Sequence, residues 1–195
     1  MTLNFYYSTV NAGKTAKLIL DAYAHRARGV ETLVLLPEIA RDREVGGTLS
    51  SRAGLSCEVI YLPTNGCPFE LFDRLRSRPE VVFIDEVQFL NATQIKGLCN
   101  IVDKYKVSVH AFGLRTNYHA EPFEGSTYLM AWADRIEEVP TPSSKEKNIF
   151  AKMNIKVNPK TRFRVSGDGN VDVGFNFEPV SRKHFDLDKN WRPSR

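Results

Sequence analysis

A chain of 195 residues, 42% hydrophobic and 26% charged, is long enough to bury a sizeable core and fits one domain with a small appendage. Its net charge of +4, from 27 basic against 23 acidic residues, suits an anionic substrate without marking a nucleic-acid binder, and no apolar run approaches the roughly 20 residues of a membrane span. The N-terminus carries no leader-like pattern, and Cys57, Cys67 and Cys99 form neither a C-x-x-C pair nor an even set, so the expectation is free thiols in a reducing cytoplasm.

Residues 3–7 are an apolar, aromatic run that predicts a strand. It stops at Ser8-Thr9-Val10-Asn11-Ala12-Gly13-Lys14-Thr15, which meets the phosphate-loop pattern G-x-x-x-x-G-K-[ST] at every position but the first, where Ser8 replaces Gly. Each residue type has a reason. Gly13 lets the backbone approach a phosphate, Lys14 supplies a point charge and the Thr15 hydroxyl suits Mg²⁺. A helix over residues 14–28 then aims its unpaired N–H groups at the anion. Leu18, Ile19, Ala22 and Tyr23 recur at helical spacing as its buried face, and Gly29 is a C-cap candidate.

Residues 30–36 are a nearly continuous apolar strand, as in a parallel sheet covered on both faces. Residues 38–55 show no periodicity and predict a long loop, either an active-site loop carrying Asp42 and Arg43 or a surface connection. A strand over 59–62 and a helix over 69–78, ended by Pro79, follow.

Val81-Val82-Phe83-Ile84-Asp85-Glu86 describes a buried strand that delivers a carboxylate at its C-terminal end. Two acids there also end ordinary strands. In a sheet with a phosphate loop, Asp85 reads as the acid beside Mg²⁺ and Glu86 as a candidate general base. Asn91-Ala92-Thr93-Gln94 is a capping box opening a helix whose Ile95, Leu98, Ile101 and Val102 face inward. Residues 107–112 predict a strand, with His110 in core or edge packing rather than as a ligand. Residues 113–119 then form a loop on the edge where open α/β sheets bind ligands. A helix over 123–132, with Tyr128 and Trp132 as core, and a strand over 136–139 complete an α/β fold. From Pro140 the composition changes to a linker and then to alternating residues (Ile149, Ala151, Met153, Ile155, Val157; Phe163, Val165), with a turn at 167–170. This predicts a small antiparallel appendage, dividing the chain into 1–140 and 141–195 and ending in a polar, frayed tail over 189–195.

These residues resemble the type II thymidine kinases, in particular the bacterial and phage branch, whose phosphate loop also begins with Ser. The matches run from Phe5 to about Phe185. They include Glu38-Ile39 with Asp42-Arg43, Ser50-Ser51-Arg52-x-Gly54-Leu55, and Asp85-Glu86-x-Gln88-Phe89. Gly113-Leu114-Arg115-Thr116, Phe123-x-Gly125-Ser126 and Arg182-Lys183-His184-Phe185 complete them. The resemblance implies a RecA-like P-loop core with a C-terminal lasso, and transfer of the γ-phosphoryl of ATP to the 5′-hydroxyl of thymidine. Residues 8–15, Asp85 and Gln88 would serve ATP, Thr15 and Asp85 the Mg²⁺, and Glu86 would be the base. Phe89, Leu114, Tyr118, Phe123 and Phe177 would surround the nucleoside, and Asp42 and Arg43 would lie in a mobile loop near the phosphates. The family is commonly tetrameric and inhibited by dTTP.

One departure stands out. The resemblance implies a structural zinc, but residues 141–147 lack the cysteine pair, Ser181 stands at the third ligand position and only His184 remains. Serine is a poor zinc ligand, so no zinc is expected. The appendage is then expected to be held by packing through residues such as Ile149, Phe163 and Phe175. Two other readings fit the phosphate loop alone: an ATPase of the recombinase or motor type, and a non-catalytic nucleotide-binding relic.

Overall fold

A computed structural model of the chain describes residues 1–43, 47–161, 163–165 and 176–190, with the backbone alone for residues 42, 43 and 190. The strands are β1 (Leu3–Ser8), β2 (Thr32–Pro37), β3 (Thr48–Ser50), β4 (Ser56–Glu58), β5 (Ile60–Leu62), β6 (Val81–Ile84), β7 (Ser108–Leu114), β8 (Arg135–Glu138), β9 (Met153–Val157) and β10 (Asn176–Val180). The helices are α1 (Lys14–Arg26), α2 (Pro68–Asp73), α3 (Ala92–Tyr105), α4 (Glu124–Trp132), α5 (Arg182–Phe185) and α6 (Leu187–Asn190). Six strands form one parallel sheet in the order β5-β2-β6-β7-β1-β8. Parallel strands need crossovers: α1, α2, α3 and α4 supply four of them, and the segment carrying the β3–β4 hairpin joins β2 to β5.

The continuous apolar runs are explained by cover on both faces. Leu33, Leu35, Val82 and Ile84 join one core with Phe72 of α2, Ile95, Leu98 and Ile101 of α3, and Leu129 of α4. Val34, Leu36, Val81 and Phe83 point the other way, against Leu18, Ile19 and Ala22 of α1. Each such fully buried side chain contributes about 1.5–3 kcal/mol. The capping box of α3 forms as expected: Asn91 Oδ1 accepts from Gln94 N at 2.9 Å, and Gln94 Oε1 accepts from Asn91 N at 3.1 Å.

Several expectations need correction. Tyr23 lies at the edge of the α1 stripe and is 69% exposed. Trp132, at the last residue of α4, is exposed and packs on Tyr128 at 4.7 Å, while Tyr128 is only partly buried. The helix after Cys67 ends at Asp73, five residues short of the expected span. The described residues within 38–55 are not an unstructured loop: they hold a 3-10 turn over Glu38–Arg43 and the start of the β3–β4 hairpin. Strands of three residues are too short to show alternation, and of β3 only Leu49 is buried.

His110 packs as expected, its ring 5.0 Å from Phe83 and 5.8 Å from Tyr6. Burial, helped by His25, pushes its pKa down to about 4.

The appendage is an antiparallel pair, β9 with β10. Its packing differs from expectation. Ile149 and Phe163 are exposed, and the cluster is instead Met153, Ile155, Val157, Val180 and Phe185, with Ala120 against it. Phe175, the turn at 167–170 and the tail residues 191–195 lie outside the described residues.

Two glycines allow the turn after β6 to sit against its neighbours. A Cβ on Gly113 would lie 2.7 Å from both Val87 Cγ2 and Gln88 Oε1, and one on Gly125 would lie 2.6 Å from Leu90 O and closer still to Val87 O. Gly125 is the second residue of α4, and Ala within a helix ordinarily gains up to about 1 kcal/mol of propensity over Gly. Here the clash is with backbone, so Gly125→Ala is expected to destabilise the protein by about 1–3 kcal/mol, read as a lower urea midpoint. An unchanged or raised midpoint would show that α4 can move away from the turn.

The folded pKa of His110, about 4, lies below its ordinary 6.5. The unfolded chain therefore binds more protons in this window, and stability rises with pH between about 4 and 6.5. This contribution is complete above pH 6.5 and lost toward pH 4, with a size of about 1–2 kcal/mol once solvent screening is allowed for. Urea midpoints across pH 4–7 should rise more steeply for the wild type than for His110→Phe. Parallel curves would refute the assignment.

Candidate active site

β1 delivers the phosphate loop at its C-terminal end. Ser8 has no left-handed backbone, so its position has no need of glycine. Its hydroxyl instead donates to Val139 O and hydrogen-bonds Thr141 Oγ1 at 2.8 Å, tying the loop's start to the chain leaving β8. The left-handed turns fall on Asn11 (φ 63°) and Gly13 (φ 78°). Asn tolerates this conformation better than most side chains, and Gly13 caps α1. Lys14 is buried and donates from Nζ to Thr9 O at 2.8 Å. Burial pulls its pKa down, and the nearby charges of Glu86 and Asp85 pull it back up. Arg52, in the turn of the β3–β4 hairpin, donates to Asn11 Oδ1.

Asp85 follows β6 directly and is 1% exposed. Thr15 Oγ1 donates to its Oδ2 at 2.7 Å, and the Glu86 N–H donates to its Oδ1 at 3.0 Å. Burial, with the Glu86 charge second, holds the Asp85 carboxyl above the usual range, against the hydrogen bonds and Lys14. Glu86 is half-buried and left-handed, with φ 52°. A non-glycine residue in that region is strained, and such strain gathers at functional sites. Gln88, expected among the phosphate-side residues, spends its amide on a bridge. Nε2 donates to Glu86 Oε2, and Oε1 accepts from Leu114 N at 3.0 Å. The end of β6 is thereby fastened to the end of β7.

The aromatic residues expected around a nucleoside gather at the same strand ends. Phe89 meets Phe123 edge-on at 6.4 Å, and Tyr118 lies 5.7 Å from Phe177 of β10. Leu114 ends β7, its carbonyl accepting from Ser126 Oγ at 2.5 Å. Asp42 and Arg43 end the 3-10 turn, and their side chains lie outside the described residues. Val10 and Ala12 complete the loop.

Thr15 and Asp85 offer only oxygens, which fits Mg²⁺, and Thr9 Oγ1 in the same loop is buried with no partner among the described residues. In the appendage, Glu146 accepts from Ser143 Oγ at 3.0 Å and from Ser181 Oγ at 2.8 Å. The His184 N–H donates to Ser181 Oγ at 3.0 Å, while the His184 side chain is exposed. Among the described residues no group of three or more His, Cys, Asp or Glu is gathered to hold a metal.

Sequence reasoning missed Asn154. It lies in β9, accepts from Val10 N at 2.9 Å and donates to Thr116 O at 3.2 Å. The available signal was a short polar amide inside an apolar strand. It reads as a solvent face unless something covers it.

Comparison with known proteins agrees with this geometry. Residues 1–185 match the family model described as thymidine kinase. The chain is 37% identical over 190 residues to the thymidine kinase of Coxiella burnetii, covering 95% of each. It is 43% identical over 141 residues to that of Pasteurella multocida, covering 71% of this chain and 73% of that protein. Against that of Shewanella oneidensis it is 36% identical over 187 residues, covering 94% and 95%. A family match over residues 1–185 and relatives at 36–43% identity mean that the protein, whose phosphate loop and acid pair lie at the strand ends of a parallel sheet, belongs to the thymidine kinase family of ATP-dependent nucleoside kinases.

Proposed function

We propose that this protein transfers the γ-phosphoryl group of ATP to the 5′-hydroxyl of thymidine, giving TMP and ADP. The observation that carries the reading is the Thr15–Asp85 hydrogen bond, which joins the phosphate loop to the strand end bearing Glu86. The backbone of residues 8–15 and the Lys14 ammonium bind the phosphates. Lys14 exchanges its contact with Thr9 O for a phosphate oxygen. Phe89, Leu114, Tyr118, Phe123 and Phe177 enclose thymine and sugar, and Asp42 and Arg43 lie near the phosphates. Glu86 is the base. Its Oε2 is held by Gln88, and its other oxygen takes the 5′-hydroxyl proton as the O5′–Pγ bond forms and the bond from Pγ to the β-phosphate oxygen breaks, ADP leaving with the electron pair. Thr15 and Asp85, together with the nucleotide, would hold Mg²⁺, which would neutralise phosphate charge there.

The same reading includes a core of residues 1–140 and a lasso of 141–195, a cytoplasmic homotetramer, inhibition by dTTP and no nucleic-acid partner. Among the described residues no helix is long and apolar enough to cross a membrane. We also propose that the lasso closes without zinc. The Glu146 carboxylate, hydrogen-bonded to Ser143 and Ser181, supports this, since it already links the two segments.

Phosphate transfer from labelled ATP across the four deoxynucleosides tests the substrate, with thymidine expected to lead. ATP hydrolysis stimulated by DNA and indifferent to nucleoside would overturn the reading. Glu86→Gln is expected to lower kcat by about 10²–10⁴ while the KM for ATP stays near wild type. An unchanged kcat would remove Glu86 from the chemistry. For the lasso, elemental analysis should find no stoichiometric zinc, chelators should leave Tm unchanged, and Glu146→Ala should lower it. One zinc per chain would sink the zinc-free closure.

A further inference from the structure

β9 carries Asn154 and Lys156 on the face opposite Met153, Ile155 and Val157. That polar face is buried. Asn154 is 3% exposed, and Lys156 lies over the Tyr118 ring, its Nζ 5.3 Å from the centroid. The Asn154 amide spans two loops far apart in sequence. Its Oδ1 accepts from the N–H of Val10 in the phosphate loop at 2.9 Å, and its Nδ2 donates to the carbonyl of Thr116, beside the aromatic set, at 3.2 Å. The chemistry at each end fixes the amide's orientation, since only the oxygen can face an N–H and only the NH₂ a carbonyl. The second strand of the appendage reaches the same loop, where Asn11 Nδ2 donates to Phe177 O at 3.5 Å.

We propose that Asn154 is a positioning residue for phosphoryl transfer. Its amide holds the Val10 peptide, and through it the left-handed turn at Asn11, in register with the Thr116 loop, so that the appendage and the phosphate cradle form one mechanical unit. The proposal rests on the thymidine kinase reading for its consequence in turnover, but not for its geometry. Val10 N–H, once bonded to Asn154, is committed to the appendage and no longer free to rotate with the loop. Removing the amide leaves a part-buried N–H and a part-buried carbonyl without their partner, and the loop meets the loss by changing shape or by turning to water. The nucleotide site then loses preorganisation although no group that touches nucleotide has been altered.

The test separates the two readings. Binding of a fluorescent ADP, measured without nucleoside, is independent of the phosphoryl acceptor. Asn154→Ala is expected to raise its Kd about tenfold, the size of one lost hydrogen bond, with a parallel rise in the KM for ATP. Asn154→Gln, which keeps the amide, is expected to recover most of that loss. A merely structural role would lower Tm and leave nucleotide affinity alone, so an Ala variant that binds ADP within twofold of wild type overturns the proposal, as does a Gln variant no better than Ala. Should the Ala variant not fold, Asn154→Leu, close in size and without the amide, replaces it with the same two outcomes. If the wild type binds ADP but does not phosphorylate thymidine, the proposed function fails while the affinity comparison still decides the role of Asn154.

Discussion

The hydrogen bond from Thr15 to Asp85 joins the two pieces of chemistry in this protein. One partner opens α1 and the other leaves β6, 70 positions later. They meet because β1 and β6 both run parallel to β7 and end on the same rim of the sheet. Parallel topology places every strand's C-terminal end, and every loop that follows, on that side. The phosphate loop, the acid pair, Leu114 and the Thr116 loop share a neighbourhood for this single reason.

Burial sets the electrostatics of the rim. Lys14 and Asp85 are both nearly inaccessible, and water is the usual solvent of their charges. The loop carbonyl of Thr9 takes the ammonium, while Thr15 and the Glu86 amide take the carboxylate. These contacts reduce the cost of burial without removing it: Lys14 is shifted down and Asp85 up, each toward its neutral form. On the proposed reading, a polyphosphate with a bound cation would bring compensating charge to both groups. Glu86 differs from Asp85 in being half-buried and held by a neutral amide.

The supports around these groups are backbone approaches and amide bridges. Gly113 and Gly125 let the turn of Val87–Phe89 lie against β7 and α4, closer than any side chain would allow. Gln88 fastens Glu86 to the end of β7, and Asn154 fastens the phosphate loop to Thr116. Each bridge uses one short amide to satisfy a donor and an acceptor from different elements, which rigidifies the rim without adding charge to it.

Local pattern was enough to read the strand-loop-helix at Ser8–Thr15, the strand that ends in Asp85, the capping box at Asn91 and the order of α/β elements, because each is written in neighbouring residues. The stripe of α1 was legible up to Tyr23, where periodicity could not tell the edge of a buried face from its centre. The β3–β4 hairpin was not legible, since three-residue strands carry no period. Nor was the packing of the appendage: hydrophobicity alone favoured Ile149 and Phe163, and both are exposed. What only the tertiary structure decided is which polar residues face inward. Asn154 and Lys156 look like solvent-facing positions in their own strand, and both are buried: Asn154 bridges two loops and Lys156 lies over the Tyr118 ring, while Gln88, expected on the phosphate side, bridges Glu86 and Leu114. A sequence states what a side chain can bond to. Contact between residues 10, 116 and 154 is set by how the chain closes in space, and that is a property of the sheet and its crossovers rather than of any one stretch.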